Sequence, residues 1–295
     1  MSTGNLAAAL KNLPLKHSFL IGVDSDGCVF DTMEIKQKEC FCPQNIRFFG
    51  LQPIARFARE ATEFVNLYSR NRGMNRYPAI MRVMELLSQR REVIELGFQV
   101  PRLARLAAWV KAETTLSKNN LRKVVTETDD PELRNVLNWS EAVDEAIELV
   151  VKSVPPFAFA RKALEQAQKV VDILVVSQTP LEALQREWRE HDMEQYVCAI
   201  AGQEHGTKAE HLALASNGRH DPDHILMVGD AQGDLQAAKS NLACFFPIIP
   251  GKEVQSWKRF ADEGLQRFLS RKFKGKYQND LIEEFNAALP EKPAW

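Results

Sequence analysis

Asp24-Ser25-Asp26-Gly27 stands directly behind the apolar run Phe19-Leu20-Ile21-Gly22-Val23. A short bounded run of this kind reads as a buried strand, and residues two apart on an extended segment point to the same side. Asp24 and Asp26 are therefore expected to share one small volume, with Gly27 supplying the backbone freedom for a sharp departure from the strand. Each acid of such a pair raises the other's proton affinity, so the crowding is destabilising unless a cation or a reaction uses it. Asp230 and Asp234 follow another apolar run, Ile225 to Val228, and lie four apart. In the opening turn of a helix they would share a face, where the helix dipole tolerates negative charge. Ser177 ends a third run, Ile173 to Val176. Carboxylates converging at this density call for a hard divalent cation, and oxygen-only ligands beside a phosphate favour Mg2+.

The elements that must position these groups are strands alternating with helices. Runs at Phe19 to Val23, Ile173 to Val176, Val197 to Ala201, Ile225 to Val228 and Ala243 to Ile249 read as strands, separated after residue 155 by helical patterns from Pro180 to His191, Lys208 to Ser216 and Leu235 to Asn241. This order predicts an α/β fold with a Rossmann-like parallel sheet, in which ligands bind beyond the carboxyl ends of the strands. Asp24, Ser177 and Asp230 all fall there. Thr179, directly before Pro180, is placed to cap the helix that follows.

Between the first and second strands the pattern changes to helix. Asp31-Thr32-Met33-Glu34 resembles a capping box. Ile54, Phe57, Ala58, Ala61, Phe64, Val65 and Tyr68 keep helical spacing, as do Val143, Ala146, Ile147, Val150 and Val151. Pro78 to Arg91 and Pro101 to Thr114 each open on a proline suited to a first helical turn. The predicted organisation is a discontinuous α/β core, residues 1–32 and 153–295, interrupted by an all-helical cap domain, residues 33–152. Within the insertion, Arg70, Arg72 and Arg76 surround Gly73. They suit a loop that grips an anionic substrate, or a solvated turn between helices.

Composition narrows the partners. The 38 basic and 39 acidic residues nearly cancel, so neither nucleic acid nor a membrane surface is expected as a partner. The five cysteines are odd in number and form no CxxC pair, which fits a reducing compartment. No apolar run approaches a membrane span, and Ala7-Ala8-Ala9-Leu10 is cut short by Lys11, so a cytoplasmic protein without a secretory leader is expected.

Taken together, the motifs resemble those of the haloacid dehalogenase superfamily of phosphohydrolases. Asp24-Ser25-Asp26-Gly27-Cys28-Val29-Phe30-Asp31 is similar to its first motif, Ser177 to its second, Lys208 to its third, and Gly229-Asp230-Ala231-Gln232-Gly233-Asp234 to its fourth. Cys28 departs from the pattern, which usually has threonine there. The resemblance covers roughly residues 17–32 and 155–250. It implies that Asp24 attacks phosphorus to form an aspartyl-phosphate, and that Asp26 protonates the leaving oxygen and later activates water. It further implies that Ser177 and Lys208 bind phosphoryl oxygens, and that Asp24, the Asp26 carbonyl, Asp230 and Asp234 serve Mg2+. An acid at position 26 favours phosphate esters over dehalogenation, and a large cap favours a small-molecule phosphate ester as substrate. A phosphomutase keeps both acids and stays open, as does a silent binding module of the same fold.

Overall fold

The structure is a computed structural model and describes residues 8–295. The leader expectation at Ala7 and the first seven residues of the 1–32 segment lie outside the described residues. The chain divides into two units. One holds the chain up to Met33 together with Ser153–Leu289; the other holds Glu34–Lys152 together with Pro290–Trp295.

The first unit is built on a five-stranded parallel sheet of β1 (Leu20–Val23), β2 (Asp172–Val176), β3 (Ala199–Ala201), β4 (Ile225–Gly229) and β5 (Cys244–Pro247), ordered β3-β2-β1-β4-β5. Every pairing is parallel, and Leu20 is in register with Asp172 on one side and Ile225 on the other. Side chains alternate between two cores. Ile21, Val23, Ile173, Val175, Leu226, Val228 and Phe246 enter one; Leu20, Leu174, Val176, Met227 and Phe245 enter the other. Burial on both faces explains why the strands read as continuous apolar runs rather than alternating ones. Each such side chain contributes roughly 1.5–3 kcal/mol relative to exposure. The polar exception, Asp172, accepts the backbone N–H groups of Lys16 and His17 and so holds the segment that leads into β1.

The second unit contains no strand among its described residues. Its longer helices are Ala55–Leu67, Arg76–Gln89, Ala104–Ala112, Lys118–Thr128 and Pro131–Val150. Three of them start at side-chain caps: Asn75 accepts from Tyr77 N–H, Ser117 from Asn120 N–H, and Asp130 from Glu132 and Leu133 N–H ahead of Pro131. The Asn75 cap also moves the second helix's start from the predicted Pro78 back to Arg76. Tyr77, Trp109 and Trp139 meet edge-on in the core, and the Trp139 indole N–H donates to Asn45 Oδ1 at 2.9 Å.

The segment Pro290–Trp295 differs from expectation by grouping with this helical unit instead of the core. The cause is aromatic: Trp295 lies 4.6 Å from the Arg90 guanidinium and meets Phe64 edge-on at 5.5 Å. Hydrophobic periodicity carries no trace of such a contact. No helix among the described residues is long and apolar enough to cross a membrane.

Candidate active site

The chain leaves β1 toward β2 on one side of the sheet and reaches β4 on the other, so the switch point of the topology lies between β1 and β4. Asp24 sits at that point. Its N–H donates to Val228 O at 3.0 Å, extending the ladder one residue past β1. On the adjoining strand, Gly229 ends β4 and Asp230 follows. Gly229 is required by space: a Cβ there would fall 2.3 Å from Asp234 Cγ and 2.5 Å from its Oδ2. Asp234, in the first turn of the helix Gln232–Ser240, accepts the N–H groups of Asp230 and Ala231 through Oδ2 at 3.2 and 3.0 Å.

Lys208 enters from the start of the helix Lys208–Ser216, which Thr207 and Glu210 cap reciprocally. Gly22 of β1 has room for no side chain, since a Cβ would fall 2.6 Å from Leu212 Cδ2; the helix therefore packs closely on the sheet. The Lys208 ammonium donates to Asp24 Oδ2 and Asp234 Oδ1, each at 2.6 Å.

Asp24, Asp230 and Asp234 are all buried and offer carboxylate oxygens within 4.8 Å of one another. A single ammonium cannot balance three carboxylates. Burial, and the nearby Asp234 charge, push the Asp24 carboxyl up to about 7 despite the opposing pull of Lys208. Asp234 is likewise raised by burial and by Asp230, against Lys208. For Lys208 burial acts downward, but the Asp234 and Asp24 carboxylates outweigh it and hold its pKa well above the usual lysine value. A buried oxygen-only donor set with excess negative charge fits Mg2+. Asp24, Asp230 and Asp234 together are the residues that would hold it.

Asp26 is not part of this cluster. The chain turns at Gly27, whose φ is 74°, and the Asp26 carboxylate accepts hydroxyl donors instead: Thr32 on Oδ1, and Thr179 on Oδ2 at 2.7 Å. Thr179 thus does not cap the next helix. That helix, Leu181–Glu190, has no side-chain cap, and Leu181 N–H donates to Glu204 Oε2. Ser177 is buried at the end of β2, where its N–H donates to Ala201 O and its Oγ accepts from Thr179 N–H.

The three arginines of the helical unit have separate surroundings. Arg70 is exposed, and Arg72 is buried with a donor on Leu67 O. Arg76 donates to Ser140 O and Oγ, pairs with Asp144 at 2.7 Å and lies over the Phe41 ring.

Sequence reasoning missed the hydroxyls that hold Asp26, and also Glu187 and Trp188, which bind the Ser25 hydroxyl. The available signal was the serine itself, a polar residue between two acids beside a strand whose neighbours are all buried.

No protein-family model matches the sequence, and no curated protein matches it. Solved structures do. A haloacid dehalogenase-like hydrolase from Bacteroides fragilis aligns with a TM-score of 0.50 at 15% identity, over 82% of this chain and 93% of that one. A haloacid dehalogenase-like family hydrolase from Streptococcus pneumoniae gives 0.45 at 13% identity, over 85% and 97%. A structure titled as a phosphoglycolate phosphatase, from Lactobacillus delbrueckii subsp. bulgaricus, gives 0.46 at 18% identity, over 78% and 85%. That first similarity is one of fold: over most of its length this chain folds like that haloacid dehalogenase-like hydrolase.

Proposed function

We propose that this chain is a Mg2+-dependent phosphatase that hydrolyses a small phosphate ester through an aspartyl-phosphate. The observation that carries the reading is Asp24: a buried carboxylate at the sheet's switch point, bonded to Lys208 and clustered with Asp230 and Asp234. Bound Mg2+ would supply the positive charge that keeps Asp24 ionised and offsets the phosphoryl oxygens. An Asp24 carboxylate oxygen forms the bond to phosphorus as the bond to the leaving oxygen breaks, and Asp26 gives that oxygen its proton. Asp26 then takes a proton from water, which attacks phosphorus and releases phosphate and Asp24. Two threonine hydroxyls fix the Asp26 carboxyl for both transfers. Ser177 Oγ, already accepting from Thr179 N–H, has its hydroxyl hydrogen to offer a phosphoryl oxygen, and Lys208 offers its ammonium. In this reading Arg70, Arg72 and Arg76 are the insertion's candidates for contacting the rest of the substrate, and Arg70 is the exposed one of the three.

Hydrolysis of an aryl phosphate, measured with and without Mg2+ for the wild type and Asp24→Asn, tests the proposal. Turnover should require Mg2+ and fall by about 10³-fold or more in the variant. Unchanged turnover in Asp24→Asn would remove the nucleophile assignment. A panel of phosphorylated metabolites then identifies the preferred substrate.

A further inference from the structure

Ser25, between the two proposed catalytic acids, carries a fully buried hydroxyl. It donates to Glu187 Oε2 at 2.8 Å and accepts from the Trp188 indole N–H at 2.9 Å. Both partners belong to the helix Leu181–Glu190, and Trp188 is itself fully buried. The backbone of Ser25 is equally engaged. Its N–H donates to Asp24 Oδ1 at 2.8 Å, and its carbonyl accepts from Val29 and Phe30 N–H at 2.9 and 3.1 Å. Trp188 also meets Phe30 edge-on at 5.7 Å, so the indole touches both ends of the turn. One residue therefore joins the nucleophile's carboxylate, the turn that carries Asp26, and a helix packed beside them. An apolar side chain in its place would be held only by non-directional packing, whereas two hydrogen bonds fix position and orientation together.

Resting on the phosphatase reading, we infer that Ser25 is a positioning residue for Asp24, with Trp188 and Glu187 as the anchors that hold it. Loss of either anchor loosens the Ser25 N–H against Asp24 Oδ1 and lowers the fraction of molecules with the nucleophile aligned. Substrate affinity is left nearly unchanged, because the hydrogen bonds of Ser25 go to Asp24, Glu187 and Trp188 and not to the phosphate-binding candidates Ser177 and Lys208.

Ser25→Ala, Trp188→Phe and the double variant are compared with the wild type in aryl phosphate hydrolysis, well below their melting temperatures. Each single variant should lose about tenfold in kcat, equivalent to about 1.4 kcal/mol, with KM within about twofold. The double variant should be no slower than the slower single, since both break one connection. Glu187→Gln keeps an acceptor and should recover most of the rate that Glu187→Ala loses. An unchanged kcat in folded Ser25→Ala, or losses that multiply in the double variant, overturns the inference. If Trp188→Phe does not fold, Ser25→Ala with Glu187→Ala forms the same cycle.

A second readout needs no turnover. The Trp188 indole N–H resonance, assigned by its loss in Trp188→Phe, should move in Ser25→Ala and also in Asp24→Asn. A resonance indifferent to Asp24→Asn breaks the link to the nucleophile and overturns the inference. Absent hydrolysis of every phosphate ester with a resonance that does respond would defeat the phosphatase reading and leave the link from Trp188 through Ser25 to Asp24 standing.

Discussion

Replacing Gly229 by alanine places a methyl group where the structure already has a carboxyl group. The added Cβ would lie 2.3 Å from Asp234 Cγ, whereas ordinary contact begins near 3.4 Å, so the Asp234 carboxyl must retreat by about 1 Å. Retreat loosens the Oδ2 contacts to the Asp230 and Ala231 amides and the Oδ1 contact to Lys208. All three groups lie in a buried site, and a buried polar group left without its partner costs roughly 1–3 kcal/mol. Partial relaxation brings the expected destabilisation to about 2–5 kcal/mol. For a chain of this size that lowers the melting temperature by about 3–8 °C. Displacement of about 1 Å beside the reacting centre should also cut kcat by about 100-fold. Gly233, in the same short motif, is the internal control: a Cβ there meets nothing within 4 Å and its φ is not positive. Gly233→Ala should hold activity within twofold and raise helix stability by about 0.5–1 kcal/mol. Thermal melts and aryl phosphate turnover of the two variants decide the matter. Wild-type melting and turnover in Gly229→Ala, or equal damage in Gly233→Ala, would refute the steric argument.

Three further outcomes are expected. Thr179→Val keeps the shape of the side chain but removes the donor to Asp26 Oδ2, so kcat should drop by about tenfold with the melting temperature nearly unchanged; full activity would show that the Asp26 carboxyl needs no second hydroxyl. His211 is buried, and burial, helped by the His205 and Lys208 charges, pushes its pKa from 6.5 down to about 4. Between those values the unfolded chain binds a proton that the folded chain refuses, so this contribution to stability is complete above pH 6.5 and is lost as pH falls toward 4. From pH 7 to 5 the loss is roughly 2 kcal/mol, measurable by urea denaturation at each pH, and His211→Gln should flatten the dependence. Arg76→Ala removes the ties to Ser140 and Asp144 and should lower stability by about 1–2 kcal/mol with KM unchanged; a raised KM at an unchanged melting temperature would make Arg76 a substrate contact.

The parts of this molecule readable from sequence are those governed by local pattern. β1, β2 and β4 lie where apolar runs place them because strands buried on both faces have no polar positions to interrupt the run. Asp24 and Asp230 were legible for the same reason, each following such a run. Asp26 was harder. The rule that alternate residues share a side holds along a strand, but β1 ends at Val23, and Gly27 turns the backbone before the second acid's surroundings are settled. Its partners, Thr32 and Thr179, are far apart in the chain or shaped like helix caps, and nothing in their spacing announces a common target. The bonds from Ser25 to Glu187 and Trp188 span the whole helical insertion, a distance over which periodicity says nothing.

The strand order has a consequence for how the protein comes into being. Leu20 pairs with Asp172 and Ile225, so β1, the middle of the sheet, is made long before either neighbour exists. Contacts that distant in sequence close slowly, whereas helices of the Glu34–Lys152 segment draw on partners near them in the chain. During synthesis or refolding, helix content should therefore rise first, while β1 waits as a short apolar segment open to the wrong partner. Asp24, the proposed nucleophile, hangs on the end of that waiting strand. Catalytic competence is then the last property the chain acquires, and its recovery times the closing of the sheet.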